Sequence, residues 1–189
     1  MGNRDSSLAS LLKNTDEKMK ILMSGLDGSG KTNLLMTLGL GELSISIPLI
    51  GFIVEEVKYK DIQFVSWDVG GCDKIRTLWR PLYQNVTHFI MVIDSIDYDR
   101  ILEVRQEIEW FISQNELQQV PVLLFANKQD LPNAMTVEYI IETLDLNTVL
   151  EDRMWTIIPS CVLKHTGLEE GFKWLITARL SNKAKSARF

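Results

Sequence analysis

The stretch Met19-Lys20-Ile21-Leu22-Met23-Ser24-Gly25-Leu26-Asp27-Gly28-Ser29-Gly30-Lys31-Thr32-Asn33-Leu34-Leu35 decides the fold. It opens as an apolar run of strand length, passes through three glycines, and continues with Leu34, Leu35 and Leu38 at helical spacing. Gly25 to Thr32 matches G-x-x-x-x-G-K-[ST] in the setting that pattern needs, after a strand and before a helix. Glycines at 28 and 30 let backbone N–H groups turn toward phosphate oxygens, and the helix start adds partial positive charge. The expected phosphate site is Asp27, Gly28, Ser29 and Gly30 with Lys31, Thr32 and Asn33. Lys31 is its mobile cation for the β and γ phosphates. Thr32 offers a hydroxyl to Mg²⁺, a hard cation that keeps water and phosphate oxygens in its shell.

Outward from this unit, short apolar runs alternate with helix-period segments, which means α/β. Strands are expected at Met19 to Ser24, Phe52 to Tyr59, Ile62 to Val69, His88 to Asp94, Val120 to Ala126 and Met154 to Pro159. Most are apolar on both alternating faces and read as buried. Tyr59, Lys60 and Asp61 predict a tight antiparallel hairpin, whereas the longer connections imply parallel crossovers, so the sheet should be mixed. Stripes at Ile101, Ile108, Phe111 and Ile112, and at Leu168, Phe172, Leu175 and Ile176, predict packed helices.

A phosphate loop alone leaves kinases, ATPases and GTPases open. Asn127-Lys128-Gln129-Asp130 follows the apolar run Val122 to Ala126, at the carboxyl end of a strand, where α/β sheets bind ligands. A carboxylate at Asp130 accepts from both N1–H and the 2-amino group of guanine. Adenine presents an acceptor at N1 and would leave that carboxylate opposed by a lone pair. A polar turn ahead of Pro132 is the plainer reading of the same residues, and the upstream phosphate loop weighs against it. Asp68-Val69-Gly70-Gly71 ends another expected strand, where Asp68 can hold Mg²⁺ through water and the glycines, Gly71 among them, can approach the γ-phosphate; a bare Asp-x-Gly-Gly turn is common, and its position between the phosphate loop and Asn127 favours the functional reading.

The composition excludes several classes. With 46% hydrophobic and 24% charged residues in 189, and no apolar run of 18, the chain reads as one domain with no membrane span. A net charge of -5 disfavours a polyanionic partner, so no nucleic acid is expected. Cys72 and Cys161 sit in neither a disulfide framework nor a metal-ligand spacing, which fits a reducing cytoplasm. The N-terminus lacks the apolar core of a secretory signal. His88 and His165 are isolated and read as structural or exposed.

On these residues the chain resembles the Arf and Arf-like small GTPases, as a divergent member. The resemblance rests on Gly25-Leu26-Asp27, Ile47-Pro48, Ile50-Gly51-Phe52, Trp67-Asp68-Val69-Gly70-Gly71, Asp73-Lys74-Ile75-Arg76 and Phe125-Ala126-Asn127-Lys128-Gln129-Asp130-Leu131-Pro132. It implies a P-loop GTPase fold with a six-stranded, mostly parallel mixed sheet, GTP/GDP with Mg²⁺, and a monomer served by an exchange factor, an activating protein and effectors. It also implies that Cys161-Val162-Leu163 is the last guanine loop, with the Val162 N–H near O6, although the family usually has Cys-Ala-Thr there. The expected organisation is an acylated, amphipathic segment at 1–17, a GTPase domain at 18–181 and a basic tail at 182–189.

Two departures concern catalysis. Where the family has a threonine that closes the first switch over Mg²⁺, this chain has Leu49; where it has a water-orienting glutamine, this chain has Cys72. Leucine cannot ligate a hard cation, and a thiol cannot copy the paired geometry of an amide. Slow hydrolysis is expected from a catalytic set of Lys31, Gly71 and Cys72. A redox-reactive thiol is the competing reading of Cys72. At the N-terminus, Met1-Gly2-Asn3-Arg4-Asp5-Ser6 fits the acylation pattern M-G-x-x-x-[ST] at Gly2, and Leu8, Leu11 and Leu12 add a short apolar stripe. The resemblance then implies reversible membrane attachment and vesicle transport at the Golgi. The competing function is a nucleotide-bound scaffold that hydrolyses nothing.

Overall fold

A computed structural model of the chain describes residues 19–38, 44–46, 54–59, 62–67 and 83–186. In chain order the elements are β1 (Met19–Ser24), α1 (Lys31–Thr37), β2 (Ser44–Ser46), β3 (Val54–Tyr59), β4 (Ile62–Trp67), β5 (His88–Asp94), α2 (Ile101–Ile112), a 3-10 turn at Asn115–Leu117, β6 (Val122–Asn127), α3 (Val137–Leu144), α4 (Leu146–Val149), β7 (Trp155–Pro159) and α5 (Leu168–Ser186). The strands make one sheet in the order β2-β3-β4-β1-β5-β6-β7. β3 is antiparallel to both β2 and β4, and the remaining pairs are parallel. The mixed α/β sheet expected from the sequence is therefore present, with Tyr59 opposite Ile62 at the expected hairpin.

The elements differ from those expected in several details. Among the described residues the sheet has seven strands rather than six, because Ser44–Ser46 pairs with Val54, Glu55 and Glu56. β6 starts at Val122 rather than Val120, since Pro121 has no N–H to give to a ladder; Val120 instead closes a turn on the Leu117 carbonyl at 3.2 Å. The last helix runs to Ser186, into the segment expected as a tail. Helical hydrogen bonding needs no apolar period, and Lys and Ala there are good helix formers.

Side chains alternate across the sheet and build two cores. On one face Leu22, Met91, Ile93, Val122 and Leu124 pack with Ile101, Val104, Ile108 and Phe111 of α2 and with Ile140 and Leu144 of α3. On the other, Ile21, Met23, Ile90, Val92, Leu123 and Phe125 pack with Leu34 and Leu35 of α1 and with Leu168, Phe172 and Leu175 of α5. His88 is fully buried in the second layer, its Nδ1 2.9 Å from Thr87 Oγ1 and its Nε2 3.1 Å from the Leu175 carbonyl oxygen, so it ties the sheet to α5. His165 is exposed. Both histidines match their structural or exposed reading.

The close seating of α5 depends on Gly171. A Cβ there would stand 2.5 Å from Phe125 Cζ and 2.6 Å from Cε1, against a ring that is itself fully buried. Gly171→Ala would gain up to about 1 kcal/mol of helix propensity but overpack the core at a cost of about 1–3 kcal/mol. The expected result is a net loss and a melting temperature lower by about 2–4 °C per kcal/mol for a domain of this size. A higher melting temperature in calorimetry would show that the Phe125 ring yields freely.

Candidate nucleotide-binding site

β1 lies at the centre of the sheet, where the chain changes direction from one side to the other. The crevice beyond the carboxyl ends of its strands is the place such sheets bind ligands. Ser24 ends β1, the Ser29 N–H turns back to the Leu26 carbonyl at 3.3 Å, and the Leu34 N–H donates to the Gly30 carbonyl at 2.9 Å to start α1. Within this loop Asp27 and Gly28 are exposed, while Ser29 is buried. Lys31 is only 3% exposed, yet its ammonium is compensated: Nζ donates to the Gly25 and Leu26 carbonyls at 2.8 and 2.7 Å and lies 3.4 Å from Ser29 Oγ. The charge is thereby held at the middle of the loop. Thr32 is half-buried on the first turn of α1, and Asn33 is exposed.

β6 carries the base-reading residues to the same edge, with Asp94 and Asn127 directly opposite in the β5–β6 register. Asn127 spends its amide on both neighbouring loops. Its Nδ2 donates to the Ser29 carbonyl at 2.8 Å, and its Oδ1 accepts from the Val162 N–H at 3.1 Å. Gly30 makes this approach possible: its φ is 103°, and a Cβ would stand 2.5 Å from Asn127 Nδ2. Lys128 Nζ is 2.5 Å from Asp94 Oδ2, and Gln129 Nε2 donates to Ser95 Oγ and to the Met135 carbonyl, both at 2.9 Å. The whole motif is pinned from behind.

Asp130 ends the motif, its side chain 22% exposed. The Cys161 thiol donates to its carboxylate and is the largest reason the group is held below the usual carboxylate range; burial opposes this, and the Lys164 ammonium 3.4 Å away reinforces it. Burial, and then the same hydrogen bond, push the Cys161 thiol up, so it stays a protonated donor. An ionised acceptor beside the Cys161 loop is what N1–H and the 2-amino group of guanine require. The Cys161-Val162-Leu163 loop is closed by paired bonds between Cys161 and Thr166, at 3.2 and 3.1 Å. Val162 is buried and its N–H is engaged with Asn127, so a base at O6 would share or replace that bond.

Of the expected site residues, Asn127 joins the phosphate loop at Ser29 and Gly30 to the loop at Val162, and Asp130 and Cys161 meet beside it. Gly2, Leu49, Asp68, Gly70, Gly71 and Cys72 lie outside the described residues. Asp94, Ser95, Arg100 and Lys164, which contact Lys128, Gln129, Asp27 and Asp130, belong to no motif in the sequence. The polar end of the apolar run His88 to Asp94 was the one local signal for the first two. The donors fit a magnesium nucleotide: a hydroxyl at Thr32, a buried ammonium at Lys31, and open space outside Gly28, where an added Cβ would meet nothing within 4 Å. Among the described residues no three His, Cys, Asp or Glu side chains are placed to cage a metal, and an ion brought in on phosphate oxygens needs no such cage.

A phosphate loop and a guanine-reading loop joined by one buried asparagine define a P-loop guanine-nucleotide-binding protein. The family model described as the ADP-ribosylation factor family matches residues 5–179. Among solved structures, the chain is similar to the Arl6 (BBS3) small GTPase of Trypanosoma brucei with the nucleotide analogue GppNp bound, at 34% identity and a TM-score of 0.70, over 88% of this chain and 99% of that one. The chain belongs to the ADP-ribosylation factor family of small GTPases, proteins that bind GTP and hydrolyse it to GDP.

Proposed function

We propose that this chain is a membrane-recruited GTP switch whose hydrolysis is slow, working in vesicle transport at Golgi-related membranes. The observation that carries the slow hydrolysis is the pair Leu49 and Cys72, which stand where the family has its threonine and glutamine. Asp130 reads the base, Asn127 holds the two loops in register, and Lys31 orients the β and γ phosphates. Thr32, and Asp68 through water, would hold Mg²⁺, which neutralises charge on those phosphates. Gly71 would approach the γ-phosphate, but a thiol at Cys72 could not orient the attacking water and Leu49 would give the ion no oxygen. The chain accordingly stays in its GTP form for longer. In this reading Trp67, together with Phe52 and residues 75–82, which lie outside the described residues, would change position with the γ-phosphate and offer an apolar surface to effectors. The same two residues favour one other reading, a nucleotide-bound scaffold that never turns over.

Acylation at Gly2 supplies the anchor in this reading, with Leu8, Leu11 and Leu12 as the second contact, since one acyl chain alone binds marginally. Gly2→Ala removes roughly 0.8 kcal/mol per buried CH₂ and should move the protein from the membrane pellet to the soluble fraction. Unchanged fractionation would remove the membrane part of the proposal. Nucleotide extracted from the purified protein should be GTP in excess of GDP, and a GDP-only extract would count against slow turnover.

A further inference from the structure

Asp27 is an acid inside a loop that has to surround a polyanion. Arg100, the residue before α2, meets it with Nη1 2.6 Å from Asp27 Oδ1. The same guanidinium is fixed on its other side by Asp97, with Nε 2.8 Å and Nη2 2.6 Å from Oδ2, and the Arg100 backbone N–H donates to Asp97 Oδ1 at 3.2 Å. The opposite end of this short connection is Asp94, which holds Lys128 of the guanine loop and accepts from the Ile96 N–H at 3.1 Å. The β5–α2 connection is therefore a strap, fastened to the base-reading loop by Asp94 and to the phosphate loop by Arg100.

As a surface ion pair, with 36% and 67% of the side chains exposed, Arg100–Asp27 adds little to folding. Its setting gives it another use. Asp27 lies within the field of the Lys31 ammonium as well as that of Arg100. Unpaired, this carboxylate would repel phosphate and compete for Lys31; paired, its charge is cancelled and one oxygen is drawn to the strap.

We propose that Arg100 is a positioning residue of the phosphate subsite, which by bonding Asp27 cancels its charge and keeps it from Lys31, so that affinity rises with the number of phosphates. The proposal rests on the assignment of Gly25 to Thr32 to phosphate. The test compares GppNp, GDP and GMP binding, with Mg²⁺, for the native chain, Arg100→Gln, Arg100→Lys, Asp27→Asn and the double variant Asp27→Asn/Arg100→Gln. In Arg100→Gln, GppNp should weaken about three- to ten-fold, GDP less and GMP least, because repulsion by the freed carboxylate scales with phosphate charge. The loss should shrink in high salt and be partly recovered in Arg100→Lys, which keeps the charge but not the fork that spans two carboxylates. The double variant should return to native affinity or better. In the Asp27→Asn background, where no carboxylate is left to cancel, adding Arg100→Gln should no longer weaken GppNp relative to GMP.

Equal weakening of all three nucleotides in Arg100→Gln, or no recovery in the double variant, would make Arg100 a purely structural residue and overturn the proposal. A further loss of GppNp relative to GMP when Arg100→Gln is added to Asp27→Asn would overturn it too, since a loss shared by all three nucleotides reports folding instead. Native chain that binds GMP as tightly as GppNp would instead remove the phosphate-loop assignment beneath it, an outcome distinct from the others.

Discussion

Asp130→Asn should lose GDP by about 10²-fold or more and gain preference for xanthosine diphosphate, because a site built around a hydrogen-bonding pair rejects a mismatched partner strongly. The carboxylate accepts two N–H donors from guanine, whereas an amide in the same place puts an N–H₂ against one of them. Xanthine carries a carbonyl where guanine has its 2-amino group, and that oxygen accepts from the new amide. The surroundings sharpen the effect. The Cys161 thiol donates to Asp130 and the Lys164 ammonium is 3.4 Å from it, so the substitution also leaves a cation without its carboxylate. Competition of GDP and xanthosine diphosphate against a fluorescent guanine nucleotide reads both changes at once. Unaltered GDP affinity in a folded Asp130→Asn protein would show that the base is read elsewhere.

What was legible in the sequence was what is local. Gly25 to Thr32 is contiguous and each of its constraints falls on a particular residue, so the loop could be read and placed between β1 and α1. The strands at His88–Asp94 and Val122–Asn127 are apolar on both faces because helices cover both, and this made them readable as buried strands. Ser44–Ser46 was not readable: it is short, two of its three residues are serine, and it is a strand only through its pairing with β3. The extent of α5 to Ser186 was not legible, because an apolar stripe records burial rather than helicity. At the site, residue types were legible and their joints were not. Asn127 meets Ser29 and Val162 across 98 and 35 positions, and Arg100 meets Asp27 across 73. No spacing rule reaches that far without the sheet order.

The largest gain in rate should come from restoring the two residues by which this chain departs from its family. In phosphoryl transfer, catalysis is positioning and charge stabilisation, and an arginine given in trans by an activating protein contributes about 10³ to 10⁵ in rate. That arginine acts on charge developing in the transition state. It supplies neither a group that orients water nor an oxygen that closes the first switch over the ion, so the native chain should respond weakly to an activating domain. Cys72→Gln returns an amide able to donate to one partner and accept from another, and Leu49→Thr returns a hydroxyl on the metal side. Both act on one assembled geometry, so their effects should be coupled, with the double variant exceeding the product of the two single gains. An increase of about 10²-fold in stimulated turnover is the scale expected when a misplaced reacting group is brought back into line. Single-turnover GTP hydrolysis with Mg²⁺, with and without an Arf-type activating domain, on all four proteins measures this directly. Fast stimulated turnover by the native chain would refute the assignment of Leu49 and Cys72 as the defect. A double variant no faster than native would place the defect elsewhere and favour the scaffold over the switch.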